Sequence, residues 1–312
     1  MTVNVFFAAR ASLWNIYRPA LTRAFAKAGL DASLSDDPSD PRSVDYLIHA
    51  PNGPVTDFTA FTRAKAVLSL WAGVEDVVGN PTLVQPLCRM VDPGLREGMV
   101  EWVTGHVLRH HLGMDAHIVN PERAWNRKTP PLARDRNVTI LGLGALGAAC
   151  AETLARMNFR VTGWRRSPKA LASSIVCLSG EGGLKKALSS AEILVLLLPL
   201  TARTSNLMDA NRFALLPEGA IVINPGRGDL IVDEALLEAL NSGRILHATL
   251  DVFRTEPLPA DHPFWCHPRV TVTPHIAAET RPDSAARVIA ENIRRGENGL
   301  PFLHVVDRTA GY

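Results

Sequence analysis

Apolar residues along this chain fall in short unbroken runs, and stretches of helical spacing lie between them. VNVFFAA (3–9) reads as a buried strand, and YLIHA (46–50) and AVLSLW (66–71) read as further strands. RPALTRAFAKAG (18–29) spaces its apolar residues for a helix and offers Gly29 as its stop. A long helical pattern follows at 98–113, then a polar, proline-containing stretch, NPERAWNRKTPPLARDRN (120–137). Beyond it, strands are predicted at FRVTGW, EILVLLLP, AIVINPG, HATLDVF and VTVTPHIA. VDEALLEALNSG (232–243) is the clearest helix between them, and SAARVIAENIRRGENG (284–299) is the last. Alternating strands and helices predict parallel α/β architecture. The simplest topology returns the last helix to the first unit, because chain ends often lie together.

Composition changes this picture little. The 312 residues suffice for two domains, and a 46% apolar content can build their cores. A net charge of +2, with acids and bases mixed throughout, gives no reason to expect nucleic acid or an acidic membrane as partner. The opening MTVNVFFAARASLW lacks a basic start and a long apolar run, so no signal peptide is expected. ILVLLLPL (193–200) is too short to span a bilayer. Cys88, Cys150, Cys177 and Cys266 lack paired spacing, which fits a reduced cytoplasmic protein, although their number alone allows disulfides.

Candidate chemistry begins at VTILGLGALGAACAETLARM (138–157), where an apolar strand runs through Gly142, Gly144 and Gly147 into an alanine-rich helix. In a dinucleotide site the first glycine turns the chain and the second lets a pyrophosphate approach the backbone. The third lets helix and strand pack closely, and the helix N-terminus offers free N–H groups to the phosphates. The competing reading is a glycine-rich turn with no ligand. At the end of the next strand, where NAD sites place a carboxylate on the ribose, stands GWRRSPK (163–169). It has no acid. Arg165, Arg166 and Ser167 match a 2′-phosphate, and Trp164 or an arginine plane can stack near adenine. NADP is therefore expected over NAD, with a solvated basic turn as the competing reading.

INPGRGDLI (223–231), LDVFRTEPLP (250–259) and TVTPHIAAET (271–280) each pass from a β run into polar residues. At strand ends these segments would bring Arg227, Glu256 and His275 together. Reduction of a 2-oxo acid needs such a trio. A cation holds the carboxylate, a histidine protonates the carbonyl oxygen, and a carboxylate orients and charges the histidine. Taken singly, each residue could equally be structural.

The glycine turn, Arg227, Glu256 and His275, in that order and within NPGRG, LDVFRTEPLP and TPHIAA, resemble the D-isomer-specific 2-hydroxyacid dehydrogenases over essentially the whole chain. WAGVED (71–76), WRRS (164–167), HPFWCHPRVTVTPHIAA (262–278) and VDRTAGY (306–312) resemble one branch of them, the glyoxylate/hydroxypyruvate reductases of type A. The resemblance implies two doubly wound parallel-sheet domains. A Rossmann nucleotide domain (99–279) is inserted in a flavodoxin-like substrate domain (1–98 and 280–312), with the cofactor in the cleft. A homodimer formed mainly through the nucleotide domain is implied too.

On the same resemblance, His275 is the proton donor, Glu256 its partner, and Arg227 the carboxylate anchor. Backbone N–H groups of Trp71, Ala72 and Gly73, with Val74 after them, bind the substrate carboxylate; Trp71 departs from the aliphatic residue common at that point, and its bulk would narrow the pocket toward short acids. The cofactor is assigned to Gly142, Gly144, Ala145, Leu146 and Gly147, then to Trp164–Ser167, that is Trp164, Arg165, Arg166 and Ser167. Leu198, Pro199 and Leu200 lie along it, as do Asn224, Pro225, Gly226 and Ala277, and Asp251 bonds the nicotinamide carboxamide. The expected activity is NADPH-dependent reduction of glyoxylate to glycolate and of hydroxypyruvate to D-glycerate, with NAD possible. A longer or aromatic 2-oxo acid is one alternative; a nucleotide-sensing interaction protein without turnover is another. No metal is expected: His106 and His110 share a helix spacing, but no HExxH pattern or cysteine cluster accompanies them.

Overall fold

The computed structural model describes residues 2–118, 120–125, 127–166 and 174–312. Ser167, Pro168 and Lys169 of the basic turn lie outside them. In chain order the elements begin with β1 (Val3–Ala8), α1 (Ala11–Lys27), β2 (Ala32–Ser35), β3 (Tyr46–His49), β4 (Ala66–Ser69), α2 (Glu75–Val78), β5 (Leu87–Cys88) and α3 (Pro93–Leu112). Then come α4 (Asp115–Ile118), β6 (Asn137–Leu141), α5 (Ala145–Arg156), β7 (Arg160–Arg165), β8 (Ile175–Ser179), α6 (Gly180–Ser189), β9 (Ile193–Leu196) and α7 (Ala210–Leu215). The last are β10 (Ala220–Asn224), α8 (Asp233–Asn241), β11 (Ile245–Leu250), β12 (Val270–Val272) and α9 (Pro282–Glu297). They form two compact units, Met1–Leu95 with Glu279–Tyr312, and Arg96–Ala278.

The first unit holds a parallel sheet in the order β2-β1-β3-β4-β5. Successive side chains point to opposite faces, so Phe7, Ile48 and Leu68 pack on one side and Phe6, Leu47 and Val67 on the other. Burial on both faces is why these strands read as unbroken apolar runs. α9 closes one face beside α1, burying Ile289 and Ile293 with Leu21 and Phe25. α1 begins at Ala11, ahead of the expected stretch, and Pro19 lies inside it. Its first turns are held by rings: Trp14 and Tyr17 lie 5.5 and 5.8 Å from Phe7. α3 also starts early, at Pro93 rather than near 98. Asp92 caps it, accepting the N–H groups of Gly94 at 3.0 Å and Leu95 at 3.3 Å.

The second unit holds a parallel sheet in the order β12-β11-β10-β9-β6-β7-β8. The strand order reverses at β6, which places the glycine turn at the crevice where open α/β sheets bind ligands. α3 and α5 cover one face through Met99, Val103, Val107, Cys150 and Leu154, spaced for one stripe on each helix. α6, α7 and α8 cover the other through Leu188, Phe213, Leu236 and Leu240. On α3 the His106 ring lies 4.2 Å from that of Trp102. His110 Nε2 meets Thr249 Oγ1 at 2.8 Å, and the His110 ring lies tilted 4.9 Å from that of His247, which meets Thr271 Oγ1 at 2.8 Å. Burial pushes His110 down to about 3 and His247 to about 4, so both rings are neutral at neutral pH. Among the described residues, no group of three or more histidine, cysteine or acidic residues is placed to hold a metal, and no helix is long and apolar enough to cross a membrane.

Candidate active site

Three neighbouring strands of the second unit, β10, β11 and β12, run parallel, so the segments leaving them emerge on one edge. Those segments carry Arg227, Glu256 and His275. His275 Nδ1 lies 2.7 Å from Glu256 Oε2, and Glu256 Oε1 accepts the Phe253 N–H at 2.9 Å. The hydrogen bond to Glu256 raises the His275 pKa above its ordinary value, against the opposing pull of burial. Burial alone would raise Glu256, but His275, the Phe253 N–H and Arg227 outweigh it and hold the carboxyl low. Both side chains keep open surface, 49% for the imidazole and 34% for the carboxylate, so a ligand can reach them. Arg227 is half-buried, its Nη1 donates to Gly226 O at 2.7 Å, and its charge acts on both partners. Gly228 allows this approach: a Cβ there would stand 2.0 Å from the Phe253 carbonyl carbon.

Buried polar residues at the strand ends shape these segments. Asn224, 1% exposed, donates through Nδ2 to Arg227 O at 2.9 Å and accepts Gly226 N–H at 3.1 Å. Asp251 is 0% exposed. Its carboxylate accepts Thr273 Oγ1 at 2.5 Å, Ile276 N–H at 2.9 Å and Ala277 N–H at 2.8 Å. Arg254 ties the Glu256 segment to the stretch after Arg227 through Ile231 O and Asp229, and to Asn206. Asn224 and Asp251, both expected beside the cofactor, are enclosed at the ends of β10 and β11, with their polar atoms bonded to their own loops. Pro225, Gly226 and Ala277 are buried beside them.

The glycine turn has the form that the spacing requires. Gly142 adopts φ +107°, a conformation that side chains rarely tolerate, and its Cβ would meet Leu197 O at 2.4 Å. A Cβ on Gly147 would stand 1.8 Å from Gly142 O. Gly144 and Ala145 are exposed, Leu146 half so, and nothing lies within 4 Å of a Cβ on Gly144. No side chain caps α5, so its first N–H groups are available to an anion. At the end of β7, Arg165 Nη1 is buried without a hydrogen-bond partner among the described residues, and Arg166 is exposed beside it. Trp164 packs inward instead: its indole N–H donates to Gly180 O at 2.9 Å, at the start of α6. Leu198 is buried, Pro199 and Leu200 are half-buried, and Pro199 O accepts Thr204 Oγ1 at 2.7 Å.

Trp71, Ala72 and Gly73 belong to the first unit, after β4. The Trp71 N–H is taken by Ser69 Oγ at 3.0 Å, and Trp71 O accepts Met90 N–H at 2.9 Å. A serine two residues back thus closes a turn on Trp71.

Residues 104–277, which include the glycine turn and the Arg-Glu-His set, match the D-isomer specific 2-hydroxyacid dehydrogenase family, NAD binding domain. The chain belongs to that family. Among curated relatives, a glyoxylate/hydroxypyruvate reductase A of Serratia proteamaculans is 38% identical over 311 residues, covering 95% of this chain and 98% of the relative. Among solved structures, a D-isomer specific 2-hydroxyacid dehydrogenase of Xanthobacter autotrophicus Py2, in complex with NADPH and MES, aligns with TM-score 0.93 at 39% identity, covering 100% of both chains. An NADPH-dependent glyoxylate/hydroxypyruvate reductase of Sinorhizobium meliloti, in complex with NADP and sulfate, aligns with TM-score 0.83 at 34% identity, over 100% of this chain and 99% of that one.

In this 2-hydroxyacid dehydrogenase the strand-end motifs carry Arg227, Glu256 and His275, and the fold brings the last two within 2.7 Å. The supports were missed. Arg254 lies inside LDVFRTEPLP, yet nothing in the sequence says that it reaches Ile231 and Asn206. Thr273 stands two residues before His275, and only the register of β11 against β12, Leu250 opposite Val272, brings it to Asp251.

Proposed function

We propose that this chain is an NADPH-dependent reductase of small 2-oxo acids, glyoxylate and hydroxypyruvate, giving glycolate and D-glycerate. The observation that carries the reading is the 2.7 Å pair of His275 Nδ1 and Glu256 Oε2 beside Arg227. When bound, NADPH supplies the hydride for the carbonyl carbon. Arg227 holds the substrate carboxylate with its guanidinium fork. His275 keeps its proton because Glu256 stabilises imidazolium. With Nδ1 bonded to Glu256, the proton is given from Nε2 to the oxygen as the C=O π pair closes onto it. The neutral ring then regains a proton from solvent.

The residues present fit NADPH. The exposed edge at Gly144 and the uncapped start of α5 suit a diphosphate. The buried Nη1 of Arg165, without a hydrogen-bond partner among the described residues, and the lack of an acid at the end of β7 suit a 2′-phosphate. The test is cofactor consumption with glyoxylate and hydroxypyruvate, run with NADPH and NADH in parallel. Fast use of NADPH and slow use of NADH are expected. In the double variant Arg165→Ala, Arg166→Ala, the NADPH KM should rise by about 10²-fold while that of NADH stays, since each charge-assisted bond is worth about 1.5–3 kcal/mol. An unchanged NADPH KM would make these arginines an ordinary basic turn. Turnover confined to longer 2-oxo acids would replace the substrate class.

We also propose a homodimer formed mainly through the second unit, where Trp125 is 92% exposed and Ile118 of α4 70%. Light scattering should give about twice the 33.9 kDa chain mass. A monomer mass at working concentration would overturn the dimer.

A further inference from the structure

A short edge strand has few bonds of its own to hold it. β5 is two residues long and stands at the edge of the first unit's sheet, yet it is pinned on both sides. On one side it pairs with β4, Leu87 opposite Val67. On the other it meets the start of the VDRTAGY segment (306–312) and the two residues before it. Val306 N–H donates to Leu87 O at 2.8 Å, Arg89 N–H donates to His304 O at 3.1 Å, and Cys88 faces Val305 in an antiparallel bridge. Arg308 donates to two carbonyls just ahead of the strand, Leu83 O and Gln85 O. Beyond Val306 the tail folds on itself: Asp307 Oδ1 accepts the Thr309 and Ala310 N–H groups at 2.9 and 3.0 Å.

The same strand reaches the loop after β4. Met90 N–H donates to Trp71 O at 2.9 Å, while Ser69 Oγ takes the Trp71 N–H at 3.0 Å. The backbone of Trp71 is thus held at both ends. The next two N–H groups, of Ala72 and Gly73, meet no acceptor among the described residues, and both residues are half-buried.

We propose that the VDRTAGY tail is a clasp for this loop: Val306 and Arg308 fix β5, and β5, through Met90, sets the backbone from which Ala72 and Gly73 present their N–H groups to the substrate carboxylate. Val306 and Arg308 are positioning residues, acting through β5. The kinetic consequence rests on the reading of Ala72 and Gly73 as carboxylate donors; the geometric one does not.

Arg308→Ala tests this, because the side chain is exposed and its loss opens no core. Two quantities are read on the full chain: amide hydrogen exchange, and kcat and KM with glyoxylate and NADPH. Exchange should quicken at the Trp71 and Met90 amides by about 10-fold, roughly what one hydrogen bond contributes, and stay as it was in β1 and β3. The glyoxylate KM should rise by about 10-fold with kcat held, because a carboxylate anchor acts on bound substrate and transition state alike. Arg308→Lys, which can still donate to a carbonyl, should recover part of both. Unmoved exchange at Trp71 and Met90 would overturn the clasp whatever the KM does. Equal quickening in β1 and β3 would make the tail a general stabiliser and overturn it too. Faster exchange at the two amides with an unchanged KM would support the clasp and remove Ala72 and Gly73 from substrate binding. If the parent turns over no 2-oxo acid, the reductase reading fails and exchange still decides the clasp. Should Arg308→Ala fail to fold, Asp307→Ala unties the turn at Thr309 and Ala310 and should quicken the same two amides; no change there would sink the idea.

Discussion

Replacing His275 by alanine is expected to lower kcat for glyoxylate reduction by about 10²–10⁴-fold, the usual worth of acid–base help. NADPH affinity should not change, because the ring lies against Glu256 and not in the glycine turn. The parent enzyme should also show a defined pH window. The hydrogen bond to Glu256 raises the folded pKa of His275, so the ring keeps its proton above the ordinary histidine range. Reduction needs that proton. Activity should therefore be full below the folded pKa and fall as pH rises through it. In Glu256→Gln the charge is lost, and the alkaline limb should move to lower pH. The measurement is kcat against pH for parent and both variants at saturating NADPH. A His275→Ala enzyme within twofold of the parent would remove the histidine from the reaction.

Replacing Arg227 by alanine should lower kcat/KM by about 10²–10⁴-fold, from the loss of two charge-assisted bonds worth about 1.5–3 kcal/mol each. Much of the change should appear in KM, because a carboxylate anchor acts on bound substrate and transition state alike. Lysine should recover little, as a point charge does not reproduce the fork. A second readout separates this role from a structural one. Arg227 lowers the His275 pKa by charge, so its removal should move the alkaline limb of the kcat profile to higher pH. Steady-state kinetics on Arg227→Ala and Arg227→Lys across pH measures both. An unchanged KM with an unmoved limb would place the guanidinium away from the substrate.

The strands buried on both faces were legible because burial leaves only one kind of side chain to choose. β1, β3, β4, β9 and β10 are examples. The less regular elements were not. β2 is half-exposed, β5 is two residues long, and β8 leaves Val176 open to water, so none carries a clear run. Helix starts were missed at Ala11 and Pro93, where ring packing and an Asp92 cap extend the helices beyond their periodic part.

The candidate site divides in the same way. By itself the sequence determined the parallel α/β class, the nucleotide turn, the absence of an acid at the end of β7 and the strand-end segments on which Arg227, Glu256 and His275 stand. Each follows from local rules: glycine where a backbone needs room, a chosen charge where a ligand needs one, apolar runs where both faces are covered. Only the tertiary structure decided that His275 and Glu256 meet at 2.7 Å, that Trp164 turns inward to Gly180, and that Asp251 spends its carboxylate on the histidine turn. Those facts depend on strand order and register, which set neighbours across long separations in the chain. A residue's chemistry can be read from its letter, but which polar atoms satisfy it depends on what the fold places beside it.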